Sequence, residues 1–349
     1  MKVLLVSERT NVFLGKCLDQ LGDALRRLGA EPIPFTGEPY RGRCDAAFGA
    51  RGMDEHRFLE AFRAARELGA ERLHHIFLMD PQRLQLALEA VAGPLVSFSH
   101  FGLAAAESPI VAQGLARLIA SPAVSKVLIH SIAPDVARGR AEALGLPTSA
   151  KVAFVHDPMY DPTERFALGQ AEARRALGLP LDRKIVLYFG TYYAKRGADL
   201  LHAAAAQLHD RPDAGFWFVG STRTAPPGFA PTPARNVVVV DREVDDEEAA
   251  RWIAAADLVV QPYRRVYTHD TSGVLVQAAQ AGRRTIVPAI SPFQETVARY
   301  GLGRTFPCED VDGLAAAVRA GLDDPPPVDA AGYLAGLESW DDLARLVLA

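Results

Sequence analysis

Thr268–Pro288 reads THDTSGVLVQAAQAGRRTIVP, and this stretch sets the fold expected of the whole chain. A polar cluster, Thr268, His269, Asp270, Thr271 and Ser272, leads into Gly273; an apolar helix pattern then runs from Val274 to Ala281, and Gly282 stops it. Ser and Thr just ahead of an apolar-periodic run signal a helix start, and Gly signals its end. Thr285–Val287 reads as a buried strand closed by Pro288. A helix that begins this way offers free backbone N–H groups to an anion. Taken alone, the stretch fits a phosphate seat, but a plain capped helix of an α/β domain fits it more readily.

The same alternation extends in both directions. Val3–Val6 is a continuous apolar run expected of a buried parallel strand, and Leu18, Leu21, Leu25 and Leu28 follow at helical spacing up to Gly29. Pro32–Phe35 suits an edge strand or a loop because of its two prolines. Helices are expected at Phe58–Leu68, Leu84–Val91 and Ile110–Ile119, and strands at Leu73–Met79, Leu95–Phe98, Val127–His130 and Val152–Val155. His156–Gly169, HDPMYDPTERFALG, breaks the pattern and reads as a connector. A second cycle follows, with strands at Ile185–Phe189, Phe216–Val219, Val237–Val240 and Leu258–Gln261 and helices at Ala198–Leu208, Asp246–Ala256 and Leu314–Leu322. Thr222–Arg235 reads as a surface loop, Asp323–Pro327 as a break, and Leu337–Leu348 as a terminal helix. Such alternation argues for parallel sheets covered on both faces, with ligands at the carboxyl ends of the strands. The division expected is residues 1–165, residues 166–330, and residues 331–349 as a helix packing back toward the first domain.

The 349 residues suffice for two α/β domains. A net charge of -4, spread through both halves, gives no bulk attraction to nucleic acid. Cys17, Cys44 and Cys308 are too few and too scattered for a disulfide framework or a zinc site, which fits a reducing compartment. The N-terminal apolar run is too short for a signal peptide, and no stretch approaches the roughly 20 apolar residues of a membrane span. A cytoplasmic protein is expected, with peripheral contact at the inner face of the membrane left open.

Gly190-Thr191-Tyr192-Tyr193-Ala194-Lys195-Arg196-Gly197 lies between a predicted strand and helix, so it falls at the strand's carboxyl end. A Lys–Arg pair there can hold a diphosphate by charge-assisted hydrogen bonds, although the segment is no P-loop and also fits ordinary exposed cations. Ser7–Asn11 does not match a dinucleotide fingerprint. His100 lies just past a strand of the first half, placed either to meet a hydroxyl or to sit in the core as a hydrogen-bonded neutral ring. His74 and His75 fall inside a strand pattern, and no HExxH or paired-cysteine pattern points to a metal. Asp80, Asp157, Asp257, Asp270 and Glu295 show no spacing that picks out a carboxylate pair, and there is no G-x-S-x-G elbow. Arg264 and Arg265 follow the strand ending at Gln261, on the expected ligand edge.

Four segments of the second half, in order, resemble the retaining glycosyltransferases of the GT-B fold, especially family 4. Ile185–Gly197 resembles their strand and diphosphate loop, and Phe216–Gly220 the next strand with its terminal Gly. Ala254–Pro262, AAADLVVQP, resembles the family's ADVVVxPS-like strand, and Gly273–Val287 its donor-site helix and strand. The resemblance implies an α/β GT-B protein, two Rossmann-like domains facing each other across a crevice. It implies a nucleotide-diphosphate sugar as donor substrate in the second domain, no cofactor and no metal. The acceptor would be a saccharide, a lipid-linked molecule or a small molecule in the first domain. By position Arg196 replaces the usual diphosphate lysine, Thr191 falls where an Arg is common, and Lys195 is its substitute. His269 and Gln277 fall at the two acids of the E-x7-E element, so both acids are replaced; glutamine keeps hydrogen-bonding capacity but lacks a carboxylate's charge. His100 resembles the first-domain histidine near the donor sugar. The catalytic set implied is His100, Lys195 and Arg196; the donor-binding set is Gly190, Thr191, His269, Asp270, Thr271, Ser272, Gly273 and Gln277. A hexosyltransferase is the reading favoured. A sugar-nucleotide epimerase or glycoside phosphorylase, and a non-enzymatic nucleotide-sugar-binding or scaffolding protein, stand as alternatives, the last motivated by the two replaced acids.

Overall fold

A computed structural model describes residues 1–7, 12–35, 55–78, 81–90, 93–159, 163–223, 225, 231, 233–324 and 328–349. Glu8–Asn11, Cys44 and Asp80 lie outside the described residues, as do parts of the Thr222–Arg235 and Asp323–Pro327 segments. The chain divides into two units, Met1–Tyr160 with Glu338–Ala349, and Asp161–Leu337.

The first unit is a six-stranded parallel sheet. Its strands are β1 (Lys2–Val6), β2 (Glu31–Phe35), β3 (Arg72–His75), β4 (Leu95–Phe101), β5 (Val124–Ser131) and β6 (Val152–His156), in the order β2-β1-β3-β4-β5-β6. The proline-bearing β2 takes the edge, where a missing N–H costs no ladder bond on its open side. Val3 to Val6 are all buried because both faces of the sheet are covered. On one face lie α2 (Glu55–Glu67), α3 (Pro81–Ala90), α4 (Pro109–Ala120) and α5 (Pro134–Ala143), over a core that includes Phe58, Phe62, Phe98 and Leu118. The other face is covered by α1 (Val12–Arg27) and by the last helix of the chain, α13 (Trp340–Leu348), which contribute Leu21, Leu25, Leu343 and Val347. α13 starts with a reciprocal capping box between Ser339 and Asp342.

The second unit is also a six-stranded parallel sheet. Its strands are β7 (Lys184–Phe189), β8 (Ala214–Val219), β9 (Val237–Val240), β10 (Leu258–Val260), β11 (Arg284–Pro288) and β12 (Gly303–Phe306), in the order β12-β11-β10-β7-β8-β9. Counted from its own first strand this is 3-2-1-4-5-6 read from β9, the nucleotide-binding order, with its switch point between β7 and β10. α7 (Ala198–Gln207) and α11 (Val311–Asp323) cover one face; α8 (Asp246–Ala255) and α9 (Gly273–Gln280) contribute to the core on the other. α6 (Gln170–Ala176), α10 (Phe293–Tyr300) and the short α12 (Ala330–Leu334) complete the unit.

The doubly wound α/β expectation holds in both units. Several boundaries differ. The strand expected to reach Met79 ends at His75, where the chain bends. The connector expected from His156 begins inside β6 and contains a 3₁₀ turn at Thr163–Phe166. The single terminal helix is two, α12 and α13, separated at the capping box of Ser339. α6, α10 and β12 were not expected. β12, GRTF, is an edge strand with polar side chains and so carries no apolar run.

Candidate functional site

At the switch point of the second unit the carboxyl ends of β7 and β10 carry two loops, residues 190–197 and 261–272. The backbone makes their close approach possible. Gly190 has φ +118 and Gly197 φ +64; a Cβ on Gly197 would stand 2.0 Å from the Pro262 carbonyl oxygen. Arg264 clamps the loops further: its N–H donates to Lys195 O at 3.0 Å, its Nε donates to Ala194 O at 3.1 Å, and its guanidinium pairs with Asp199. Arg264, singled out from sequence as a ligand-edge cation, therefore holds the loop that presents the other two.

Arg196 lies against Gly190, with Nη1 only 2.3 Å from where a Cβ would be, so a side chain at 190 would displace the guanidinium. Its Nε is enclosed and without a hydrogen-bond partner, and its charge lies near the phenols of Tyr188, Tyr263 and Tyr267. Lys195 is half exposed; its Nζ stands 3.2 Å from Asp270 Oδ2 and 4.5 Å above the Tyr267 ring. Tyr263 and Tyr267 stack at 4.1 Å, and Phe293 meets the Tyr263 ring edge-on at 5.4 Å. Burial pushes both phenols up, so both stay protonated at neutral pH.

α9 enters this site by its N-terminus. Ser272 is the N-cap and its Oγ accepts from Leu275 N–H, while Asp270 Oδ1 accepts from Thr271 N–H at 3.0 Å. Gly273 and Gln277, four residues apart on α9, are each partly exposed, whereas Val274, Leu275, Val276 and Ala278 are buried. His269 takes φ +62, a left-handed conformation uncommon outside Gly, and its N–H donates to Ser291 O at 2.7 Å. Thr191 accepts at its carbonyl from the Tyr188 hydroxyl at 3.2 Å.

Gly190, Lys195, Arg196, Asp270 and Ser272 thus belong to one pair of loops. His100 belongs to the first unit, on β4, 3 % exposed, its Nδ1 2.9 Å from Leu78 O. His74 and His75 are both buried in β3. Among the described residues no three His, Cys, Asp or Glu side chains gather as a metal-ligand set. Sequence reading missed Gln261, Tyr263 and Tyr267. Their one signal was the polar and aromatic content of QPYRRVY directly after an apolar strand.

Residues 183–324, from β7 through α11, match the family described as glycosyl transferases group 1. A phosphatidyl-myo-inositol mannosyltransferase of Mycolicibacterium smegmatis is 26% identical over 314 residues, covering 88% of this chain and 73% of that protein. The sucrose-phosphate synthase of Thermosynechococcus elongatus superposes with a TM-score of 0.67 at 18% identity, covering 99% of this chain and 94% of that one. The chain is a GT-B-fold glycosyltransferase related to the group 1 family. A D-inositol 3-phosphate glycosyltransferase of Streptomyces avermitilis is 31% identical over 188 residues, 50% of this chain and 40% of that protein. Anabaena HepE, solved with UDP-glucose, shares the fold at a TM-score of 0.65 and 13% identity, covering 99% of this chain and 94% of that one. In this glycosyltransferase the family match and the loop pair built from Gly190, Arg196 and Ser272 fall on the same unit.

Proposed function

We propose that the protein is a retaining glycosyltransferase whose donor, a nucleoside-diphosphate sugar, binds at the β7/β10 switch point. The observation that carries this reading is Arg196: a guanidinium held against Gly190 at the carboxyl end of β7, on the loop that Arg264 ties to the segment leading into α9. A guanidinium matches the paired oxygens of a diphosphate. Lys195 adds a second positive charge, and the first-turn N–H groups of α9 add fixed dipoles. When the anomeric C–O bond to the diphosphate breaks, the departing oxygen gains negative charge where these donors stand. The acceptor oxygen attacks from the same face, and its proton passes to the departing phosphate oxygen. No side-chain base is required in that sequence. Gln277 and His269 are assigned to the nucleotide ribose and the donor sugar, in place of a pair of carboxylates, and His100 is the side chain assigned from the first unit.

For the acceptor we propose a phosphorylated inositol, free or as a lipid headgroup. The support is that two relatives are named for phosphatidyl-myo-inositol and D-inositol 3-phosphate. The test pairs UDP-, GDP-, ADP- and dTDP-sugars with inositol 3-phosphate and with phosphatidylinositol vesicles, following nucleotide release and the anomeric configuration of the product by NMR. Transfer with retained configuration, lost by more than about a hundredfold in Arg196→Ala, is expected. Inverted product would overturn the mechanism, transfer only to other sugars would overturn the acceptor, and near-normal turnover in Arg196→Ala would remove that residue from its role.

A further inference from the structure

We propose that Tyr263 is a positioning residue of the donor site, fixing the N-terminus of α9 relative to the basic pair on the loop after β7; this rests on the donor-site reading above. A count of protons at Ser272 sets the direction of the bonds. Ser272 Oγ accepts from Leu275 N–H at 3.3 Å and donates its one proton to Gln261 Oε1 at 2.7 Å. Its contact with the Tyr263 hydroxyl, at 2.9 Å, then has the phenol as donor. Ser272 is used fully, with one bond given and two taken.

Gln261 explains why this chain exists at the site. It is 2 % exposed at the end of a central strand, and its Nε2 is enclosed without a partner. A buried amide with an unmade bond destabilises the fold relative to an apolar residue. The bond it does make holds the Ser272 proton, which leaves the Oγ lone pairs for the helix cap and for Tyr263. From Tyr263 the connection continues through ring stacking to Tyr267, whose ring lies under Lys195. One run of contacts, Gln261–Ser272–Tyr263–Tyr267, joins the two elements proposed to grip the diphosphate. A ring that merely filled the core would need only its stacking and the edge contact with Phe293, both available to phenylalanine.

Tyr263→Phe separates the two roles because it removes only the hydroxyl. Calorimetric affinities would be measured for UDP, GDP, ADP and dTDP and for the matching monophosphates, on the full chain, with thermal melting as a folding control. The preferred diphosphate is expected to bind wild type at least about tenfold more tightly than its monophosphate. In Tyr263→Phe diphosphate affinity should fall roughly fivefold while monophosphate affinity and melting stay put. Ser272→Ala should then cost little more in the double variant than alone, since the two share one bond. Equal weakening of mono- and diphosphate, additive variants, or an unchanged diphosphate affinity would each overturn the positioning role while the donor-site reading stands. A wild-type protein that binds none of the four diphosphates would overturn the reading and this inference with it.

Discussion

A Cβ on Gly220 would stand 2.2 Å from the carbonyl oxygen of Gly190, and Gly220 has φ +148. The ends of β7 and β8 therefore approach backbone to backbone, and that approach sets where the loop carrying Lys195 and Arg196 begins. Gly220→Ala should push Gly190 away and with it the guanidinium that lies against it. Backbone strain at such a position is of order 1–3 kcal/mol, which a domain of this size can absorb. We expect a folded protein by circular dichroism whose nucleoside-diphosphate affinity has fallen more than about tenfold; affinity within about twofold of wild type would show that the loop tolerates the shift. The placement of these candidate residues was legible in sequence because strand-end positions follow from periodicity: Gly190, Lys195, Arg196 and Ser272 each sit one loop past an apolar run. Gln261 and Tyr263 were not legible in the same way. What they do depends on a hydroxyl eleven positions from one and nine from the other, a distance fixed only when β10 turns into α9.

At the scale of elements, β3, β4 and β5 carry a buried polar layer that no motif announced. His74 Nδ1 is 2.8 Å from Ser97 Oγ, His130 Nε2 is 3.1 Å from Ser99 Oγ, and His130 stacks on Phe101 at 4.3 Å. His75 faces the opposite layer, against Phe58. Burial pushes His74 and His75 down to about 3, and His130 down to about 4. All three rings are therefore neutral in the folded protein at pH 7. Unfolded imidazoles take up protons near pH 6.5, so below that the unfolded state binds more protons and stability falls with pH. The contribution is complete above about pH 6.5 and is lost progressively toward pH 4, with each ring adding up to about 1.4 kcal/mol per pH unit. Hydrogen exchange at β5 amides, corrected for intrinsic rate, should reveal more frequent opening at pH 5.0 than at 7.5, and His75→Phe should lessen that dependence; a flat profile in the wild type would mean that the folded rings take up protons as readily as the unfolded ones. The alternation of elements itself was readable because runs such as Val3–Val6 and Ile185–Phe189 must be buried on both faces. β12 and α10 were not, since an edge strand needs no apolar run and a helix of eight residues shows only two turns of periodicity.

Over the whole molecule the chain passes from the first unit to the second between Tyr160 and Asp161 and returns between Leu337 and Glu338. The returning segment is a structural part of the first unit. Glu338 Oε2 accepts from His156 N–H at 2.7 Å and lies 3.1 Å from His156 Nδ1; Trp340 Nε1 donates to Met159 O at 2.9 Å; Asp341 pairs with Arg27 at 2.6 Å. Beneath these, Leu343, Ala344 and Val347 are fully buried against β1, β5 and α1. Each large apolar side chain of that set is worth roughly 1.5–3 kcal/mol of burial. Its removal also bares the layer of β-strand side chains that α13 covers. Against a typical total of about 5–15 kcal/mol for a domain, a chain ending at Leu337 should leave the first unit barely folded. The second unit loses none of its own strands or helices by that cut. Calorimetry of the truncated protein should therefore resolve an early, weakened transition and a preserved one. Nucleoside-diphosphate binding should survive with the preserved transition while sugar transfer is lost. Loss of nucleotide binding together with transfer would mean that the donor site depends on the first unit for its own stability, and that the two units fold as one.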